Sequence, residues 1–362
     1  MTLAPPGPAA LRERCDAALA DFLDRQRPGW SDPDREPVFR ALRRFVLSGG
    51  KRLRPAFCYW GWCGAGGAGA DDAVVTVGAA LELFHCFALI HDDIMDRSDH
   101  RRGEASMHRI FSSLHRELDW HGDSGPFGLY AAILSGDLCA SWSDQLFSEC
   151  DSPPQRLRAA RELFQTMRAE AIAGQYLDLL AQVSAPSSAG GEASAIDRAL
   201  RVIQLKTARY TVTRPLQIGG ALAGADERLL DWYARFGEPL GETYQLRDDI
   251  LGVFGDPGST GKPNLDDLRE GKPTVLMAMT FARADANQLH RLRSLVGNPD
   301  LDSDGAAVVA EIVTATGALA ETEALITRRA AVALDTLARA PIEAGAREGL
   351  RDLARRAVDR VA

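Results

Sequence analysis

The sequence lacks several features that would place it in common protein classes. Its formal net charge is −8, so it lacks the excess of basic residues that nucleic-acid-binding proteins carry. Its six cysteines form no CxxC pair and show no Cys/His spacing typical of zinc sites. We therefore expect reduced thiols in a cytoplasmic protein, and we expect no nucleic acid among its partners.

Neither a secretory signal peptide nor a membrane span is predicted. The N-terminus has no basic segment followed by an apolar run. The longest apolar stretch, residues 73–90, approaches the length of a transmembrane helix. It contains Glu82 and His85 and continues into Asp92 and Asp93, an arrangement that is costly in lipid. We therefore predict that this stretch forms a buried core helix.

The chain also lacks the alternation of apolar and polar residues that is typical of strands, and it has no internal repeat of fixed period. An all-α fold is therefore predicted. Three prolines favour disorder in residues 1–10, and apolar residues at helical spacing predict a first helix over residues 10–24. We also predict a helix end near Lys206 and a new helix after Pro239.

Acidic residues are clustered where the longest apolar run ends. On a helix, Asp92 and Asp96 share a face and Asp93 lies beside them, so three carboxylates meet in a small volume. Hard oxygen ligands suit Mg²⁺, whose coordination is often completed by substrate phosphates. Taken by itself, such a cluster is equally typical of a solvated helix end. Because hard carboxylates favour Mg²⁺, three nearby histidines are interpreted as structural: His91, His100 and His108.

A second acidic pair strengthens the metal hypothesis. Gln245, Asp248 and Asp249 are spaced i, i+3, i+4 and can occupy one helical face. Two such faces on separate helices can oppose each other across a bundle and hold metal ions. Basic residues recur in four segments, at 49–55, 101–103, 206–207 and 260–262. Aspartate clusters together with fixed Lys and Arg predict an anion that also carries metal, and a diphosphate meets both conditions.

Eight segments follow one another in a distinctive order: Gly49-Gly-Lys-Arg-Leu-Arg-Pro55, Glu82-Leu-Phe-His85, Asp92-Asp-Ile-Met-Asp96, Arg101-Arg-Gly103, Gly174-Gln-Tyr-Leu-Asp178, Lys206-Thr207, residues 245–249 and residues 255–262. This order resembles that of the trans-isoprenyl diphosphate synthases, also called polyprenyl synthetases. The resemblance is strongest to bacterial geranylgeranyl diphosphate synthases, and it covers roughly residues 35–280.

The resemblance implies an architecture and an activity. The expected fold is an all-α bundle of ten or more helices around a central cavity, forming one domain over residues 11–362 and assembling as a homodimer. The expected reaction is a Mg²⁺-dependent prenyl transfer between isopentenyl diphosphate and an allylic diphosphate. Geranylgeranyl diphosphate (C20) is the expected product, and farnesyl diphosphate (C15) or a longer chain is the alternative.

The resemblance also assigns roles to individual residues. Three Mg²⁺ ions are expected on four carboxylates, those of Asp92, Asp96, Asp248 and Asp249. Isopentenyl diphosphate is expected to bind Lys51, Arg54, His85 and Arg102. The allylic diphosphate is expected to bind Arg101, Gln175, Asp178, Lys206 and Lys262. Catalysis is expected from Asp92, Asp93, Asp96, Lys206, Thr207 and Gln245.

Product length is predicted to depend on the helix that precedes Asp92. Ala88 lies one turn and Phe84 two turns before Asp92, so this face offers a small residue and then a bulky one. Phe87 stands five residues before Asp92, where an aromatic residue limits the chain in the resembled family. One aromatic there followed by Ala88 resembles the C20 pattern, because farnesyl synthases often carry a second aromatic at the Ala88 position.

Two other classes stay open. A class I terpene cyclase also uses an aspartate-rich helix and Mg²⁺, but residues 249–256 lack the Ser and Glu of its second motif. A non-catalytic partner subunit is the third alternative, and the intact acidic and basic motifs argue against it. The second acidic motif departs from the DDxxD pattern, because its fifth position is Gly252. That glycine leaves two direct carboxylates in the motif.

Overall fold

The computed structural model describes residues 8–68, 71–183, 191–255 and 265–358. Lys262, a predicted ligand of the allylic diphosphate, lies outside these ranges, as do residues 1–7 of the segment for which disorder is predicted. Within the described ranges the only strands are two paired strands of two residues each. The predicted all-α fold is confirmed.

Contacts between backbone segments divide the chain into two compact units. The first unit comprises Met1–Arg161 and Ile218–Gly224, and the second comprises Glu162–Gln217 and Ala225–Ala362. The expectation of a single domain over residues 11–362 stays a prediction.

The elements of the first unit follow in chain order: α1 (Pro8–Gln26), a 3₁₀-helix (Arg27–Trp30), α2 (Glu36–Leu47), α3 (Leu53–Gly64), α4 (Asp72–Met95), β1 (His100–Arg101), β2 (Glu104–Ala105), α5 (Met107–Glu117) and α6 (Ser124–Ser148). The next helix, α7 (Pro154–Val183), begins in the first unit and continues into the second.

The elements of the second unit follow α7 in chain order: α8 (Gly191–Ile203), a π-helix (Gln204–Thr213), α9 (Arg214–Ala223), α10 (Glu227–Phe254), α11 (Asp266–Glu270), α12 (Val275–Arg283), α13 (Ala286–Leu295), α14 (Ser303–Ala315), α15 (Ala318–Ala338) and α16 (Ala344–Val358). Most of α9 belongs to the first unit.

α4 is the central helix of the first unit. The Asp71 carboxylate accepts a hydrogen bond from the Ala73 N–H and caps its N-terminus. The helix packs against α6, α3 and α1, and side chains such as Leu83 are fully buried. It ends at Met95, directly after the first aspartates. This largely buried helix therefore carries the acidic motif at its C-terminal end.

α4 is also the one helix in the described ranges that is long and apolar enough to cross a membrane. In the folded chain, 72% of its apolar window is buried, which agrees with its predicted role as a core helix. A second candidate arises only if α14 and α15, which are bent by 67°, are counted as one span.

In the second unit, α10 packs against the π-helix and against α15. Gly241 on α10 lies against the backbone of the π-helix, where a Cβ atom would collide with Ala208. Gly174 on α7 is equally close to the backbone of Lys206. Two glycines therefore allow two helices to approach the segment that contains Lys206 and Thr207.

Helix boundaries differ from the sequence prediction at two places in this unit. The helix that contains Lys206 does not end there, because it continues as a π-helix through Thr213 and into α9. Pro239 lies inside α10 rather than before a new helix. Proline removes one hydrogen bond from the helix, but the packing of α10 against the π-helix and α15 keeps the helix continuous.

Candidate active site

The first acidic group consists of Asp92, Asp93 and Asp96, at the C-terminal end of α4. Asp93 and Asp96 are buried, and the Asp92 side chain is 20% exposed. Arg101 on β1 donates a hydrogen bond of 2.7 Å to the Asp93 carboxylate, and its Nη2 lies 3.5 Å from an Asp92 oxygen. Burial opposes the charge of this guanidinium, but Asp93 and then Asp92 raise its pKa. One arginine therefore connects two of the three predicted carboxylates.

The hairpin of β1 and β2 directs two neighbouring arginines to different partners. Arg102 and Gly103 form its turn with φ angles of +55° and +78°, a region that glycine adopts readily and arginine only at a cost. Arg101 donates to Asp93, whereas Arg102 donates to the Gly49 carbonyl. The turn thus connects the first acidic group to the glycine-rich segment before α3.

The cationic cluster consists of the four predicted ligands of isopentenyl diphosphate, Lys51, Arg54, His85 and Arg102. Arg54 is buried in the first turn of α3, while Lys51 is exposed in the preceding turn. Burial first, and then the charges of Arg54 and Arg102, hold the pKa of His85 well below its usual value. A neutral imidazole beside guanidinium groups fits an anion with several oxygens, such as a diphosphate.

The predicted chain-length residues lie on α4 and contact α6 through a histidine. The rings of Phe84 and Phe87 are 5.1 Å apart, and the Phe87 ring meets His91 edge to face at 4.7 Å. His91 Nε2 lies 3.0 Å from the Ile133 carbonyl oxygen on α6. The His91 ring occupies space that a side chain at Gly136 would fill. Sequence reasoning interpreted His91 as structural but missed its contact with Phe87.

The second acidic group consists of Asp248 and Asp249 on α10, with Gln245 on the same helix. The Gln245 amide donates to Asp249 at 2.9 Å and accepts from the Thr207 hydroxyl at 2.7 Å. Burial first, together with the negative charges of Asp267 and Asp248, raises the pKa of Asp249 to about 8 against the hydrogen bond from Gln245. A divalent cation would favour the ionised carboxylate, so this group fits metal binding.

The predicted allylic-diphosphate residues of the second unit meet beside the π-helix. Lys206 Nζ lies 2.6 Å from an oxygen of the buried Asp178 carboxylate on α7. Gln175, also a predicted ligand, is one turn earlier on α7. Irregular turns of the π type are frequent at functional sites. The structure therefore brings Lys206 and Asp178 together, while their roles in binding the allylic diphosphate stay predictions.

Gly252, the unusual fifth position of the second motif, lies against Asp267 of α11. A Cβ atom at position 252 would collide with a carboxylate oxygen of Asp267. Asp267 also forms an ion pair of 3.2 Å with Lys272. The space beside α10 where a fifth-position carboxylate would start is thus occupied by a carboxylate from elsewhere in the chain. Sequence reasoning gave Asp267 no role, because this proximity arises only in the folded chain.

The acidic groups offer the hard oxygen ligands that magnesium prefers, but neither group forms a complete metal site by itself. In the described part of the chain, no three His, Cys, Asp or Glu side chains are arranged to hold a metal ion by themselves. The first acidic group belongs to the first unit and the second to the second unit, and the opposition of two acidic faces stays a prediction. Incomplete sets of hard oxygens are suited to a metal whose coordination is completed by substrate phosphates.

Comparison with known proteins extends these observations to nearly the whole chain. The sequence model of the polyprenyl synthetase family matches residues 36–313. A (2E,6E)-farnesyl diphosphate synthase of Mycobacterium tuberculosis is 32% identical over 355 residues, which cover 95% of this chain and 89% of that protein. A geranylfarnesyl diphosphate synthase of Aeropyrum pernix is 31% identical, covering 91% of this chain and 95% of that protein.

A solved structure resembles this chain closely. It is the geranylgeranyl pyrophosphate synthase of Corynebacterium glutamicum in complex with isoprenyl diphosphate and magnesium, which is 36% identical with a TM-score of 0.93. The similarity covers 98% of this chain and 100% of that one. The family match includes both acidic groups and the cationic cluster. This chain therefore belongs to the polyprenyl synthetase family and is a trans-prenyltransferase.

Proposed function

We propose that this protein condenses isopentenyl diphosphate with an allylic diphosphate and releases geranylgeranyl diphosphate. The observation that carries the proposal is the hairpin of the first unit. Its Arg101 contacts the first acidic group, and its Arg102 belongs to the cationic cluster. A carboxylate group beside a cluster of cations suits a reaction in which one metal-bound diphosphate leaves while a second is held intact.

The proposed cofactor is Mg²⁺, with three ions per site. The proposed ligands are the carboxylates of Asp92, Asp96, Asp248 and Asp249, and Asp93 supports the first group through its contact with Arg101. The raised pKa of Asp249 supports this assignment, because its ionised form needs a cation nearby. Bound Mg²⁺ supplies positive charge that stabilises the departing diphosphate. The C. glutamicum relative was solved with magnesium.

Loss of the allylic diphosphate is the proposed first step. The carbon–oxygen bond breaks, and its electron pair leaves with the diphosphate. Binding of this group is proposed for five residues, of which Lys262 lies outside the described ranges: Arg101, Gln175, Asp178, Lys206 and Lys262. Thr207 and Gln245 are proposed to face the allylic cation. The Thr207 hydroxyl donates its proton to Gln245, so its oxygen lone pairs are available to the cation.

Addition of isopentenyl diphosphate is the proposed second step. The cationic cluster holds its diphosphate, and its double bond attacks the allylic cation to form the new carbon–carbon bond. Loss of a proton from the adjacent carbon restores an alkene, and the released diphosphate is the proposed acceptor. The low pKa of His85 keeps its imidazole neutral, so this residue contributes hydrogen bonds while Lys51, Arg54 and Arg102 contribute charge.

The C20 product is proposed from the aromatic pair on α4. Phe84 is almost fully buried, and its ring contacts that of Phe87, while Ala88 is only partly buried. A small residue next to a double aromatic barrier leaves room for a growing tail of limited length. Relatives with names for C15 and C25 products are similarly close in sequence. A farnesyl or longer-chain product is therefore the alternative.

A cytoplasmic homodimer is proposed as the working form. On α6, Tyr130 is 62% and Leu134 is 67% exposed, and the two lie one turn apart. Adjacent large apolar side chains on a protein surface mark an interaction face. We propose that this face of α6 contacts a second copy of the chain.

Product analysis tests the proposed function. The purified chain would be incubated with Mg²⁺ and isopentenyl diphosphate, together with dimethylallyl, geranyl or farnesyl diphosphate, and products would be identified by mass spectrometry. We expect a C20 diphosphate from each starter. Turnover of an allylic diphosphate without isopentenyl diphosphate would instead favour a cyclase. A product that stops at C15 would correct the chain length and keep the reaction class.

A further inference from the structure

Arg52 lies between Lys51 and Arg54 in the basic motif, but its side chain points into the protein. The residue is 3% exposed. Its guanidinium donates to Asp16 at 2.8 Å, to Glu82 at 2.8 Å and to the Val46 carbonyl at 2.9 Å. These partners come from α1, α4 and α2. A side chain surrounded in this way connects three helices of the protein and is not placed to bind a substrate.

The backbone around Arg52 adopts a conformation that needs support. Gly49, Gly50 and Arg52 have φ angles of +92°, +145° and +47°. Glycine tolerates such angles, but an arginine in the left-handed region persists only where surrounding contacts hold it. Arg52 directly precedes the first residue of α3 and follows Lys51. Its conformation therefore determines the direction in which the turn and α3 present Lys51 and Arg54.

The partner carboxylate of Glu82 is equally buried. Glu82 is 1% exposed, and it lies one turn before His85 on α4. Burial acts against the charge of Arg52, but Glu82 outweighs this effect and raises the pKa of the guanidinium. The two side chains therefore form a buried ion pair. This pair joins the turn that carries Lys51 to the helix that carries His85.

We infer that Arg52 and Glu82 are positioning residues for the diphosphate of isopentenyl diphosphate. The inference rests on the proposed function, because it adds two residues to the proposed cationic cluster without giving either a contact with substrate. The ion pair fixes the position of Lys51 and Arg54, at the start of α3, relative to His85 on α4. Without it, the same cations are present but are no longer held in the arrangement that a diphosphate requires.

A double substitution separates positioning from stability. Removing one member of a buried ion pair leaves the other charge unpaired and is strongly destabilising, whereas replacing both with apolar residues is often tolerated. In Arg52→Met/Glu82→Met, the remaining partner Asp16 has a side chain that is 34% exposed, so water can solvate it. We expect this variant to fold, as judged by circular dichroism and a cooperative thermal transition.

Binding of isopentenyl diphosphate is the decisive measurement. Titration calorimetry with this substrate and Mg²⁺, without an allylic diphosphate, avoids turnover. We expect its Kd to rise at least about tenfold in the double variant. In steady-state assays, KM for isopentenyl diphosphate should rise while KM for the allylic substrate stays within about twofold. A role in stability alone would not produce this difference between the two substrates.

Two further variants complete the test. Arg52→Lys keeps a cation for Glu82 but cannot form the forked bonds to Asp16 and Val46, so weaker isopentenyl diphosphate binding is expected again. The matched control, Arg25→Met/Glu149→Met, removes an ion pair of 2.7 Å between α1 and the end of α6, and it should bind like the parent chain. Parent-like affinity in folded Arg52→Met/Glu82→Met or in Arg52→Lys would overturn the inference. Failure of the parent chain to bind would overturn the proposed function instead.

Discussion

Asp93 and Asp249 are both buried carboxyl groups, but their neighbours differ in charge. Asp93 meets the guanidinium of Arg101. Asp249 accepts an amide hydrogen bond from Gln245, and the carboxylates of Asp267 and Asp248 raise its pKa more than the charge of Lys272 lowers it. Burial beside like charge favours the neutral acid, whereas a neighbouring guanidinium favours the carboxylate. We therefore expect the proposed metal site at the second acidic group to depend more strongly on a bound cation than the one at the first.

Asp92→Ala should reduce turnover sharply without unfolding the protein. Asp92 is a partly exposed residue at the end of α4, so the core loses little, but the departing diphosphate loses a proposed metal ligand. We expect kcat to fall by about 10²–10³-fold or more, the range for losing one major electrostatic contact. The assay is steady-state kinetics at saturating substrates, with circular dichroism to verify folding.

Asp99→Ala is a matched control for that substitution. Asp99 lies in the same segment, but its side chain is half exposed and pairs with Arg109. Its removal should leave kcat within about twofold, because exposed ion pairs contribute little. Turnover near the parent value in Asp92→Ala would remove this residue from the proposed site.

Ionisation of Asp249 should destabilise the metal-free protein as pH rises from about 4 to about 8. In the folded chain the pKa of Asp249 is raised from 3.8 to about 8, so within this window the folded state holds a proton that the unfolded state releases. The contribution of Asp249 to the free energy of unfolding therefore decreases with rising pH, by an amount on the order of a few kcal/mol, and comparison with a variant that lacks this carboxyl isolates it. Urea denaturation at pH 5 and pH 8 in EDTA measures the change.

Asp249→Asn is the control for this pH dependence. The amide cannot ionise, so the variant should lose less stability than the parent chain between the two pH values. Mg²⁺ should reduce the loss in the parent chain, because it favours the ionised carboxylate. Identical pH dependence in both proteins would show that Asp249 does not titrate in this window.

Among the elements that the structure describes, α4 carries the most predicted site residues. Its buried face forms the core of the first unit, its last turn carries the first acidic group, and its middle carries Phe84 and Phe87. Its contact with α6 through His91 and Gly136 supports the Phe87 ring. Product length is thus proposed to depend on how two helices pack, in addition to the identity of one residue.

Phe87→Ala, and more strongly Phe87→Ala/Phe84→Ala, should give products longer than C20. The substitutions remove the aromatic barrier on α4, so the growing tail can extend further. Reactions with farnesyl and isopentenyl diphosphates, read by mass spectrometry, measure the length. Unchanged product length in the double variant would contradict the proposed pocket.

Phe22→Ala controls for the loss of a buried ring. Phe22 is fully buried in the same unit and packs against Trp142, away from the acidic motif in sequence. Truncating a buried phenylalanine to alanine costs about 3–5 kcal/mol of folding free energy. The control should therefore lose stability as the other variants do, yet keep the parent product length.

At the scale of the whole molecule, the proposed homodimer depends on the exposed face of α6. Tyr130→Glu/Leu134→Glu should convert the dimer to a monomer, because two charges would be buried in an apolar contact. Light scattering after size exclusion measures the mass. Val332→Glu, at a residue of α15 that is 52% exposed, should leave the mass unchanged. A mass unaffected by the α6 substitutions would move the interface elsewhere or remove it.

The motifs could be predicted from sequence because their residues are close along the chain. Asp92 and Asp96 fall on one helix face by spacing alone, with Asp93 beside them, and the apolar run before them is long enough to identify a buried helix. Gln245 and Asp249 share a face for the same reason, and their hydrogen bond follows from it. Local periodicity determines such relations, because a helix fixes the positions of neighbours three and four residues apart.

Contacts between distant segments were decided only by the tertiary structure. The helix predicted to begin after Pro239 starts earlier and runs through this proline. The helix predicted to end near Lys206 continues as a π-helix, because packing outweighs local propensity. Asp267 contacts Gly252, which is 15 residues earlier in the chain. Arg52 forms an ion pair with Glu82, which is 30 residues later. No periodic pattern encodes these meetings. The sequence by itself determined which chemical groups the helices carry, whereas long-range packing decided which of those groups touch.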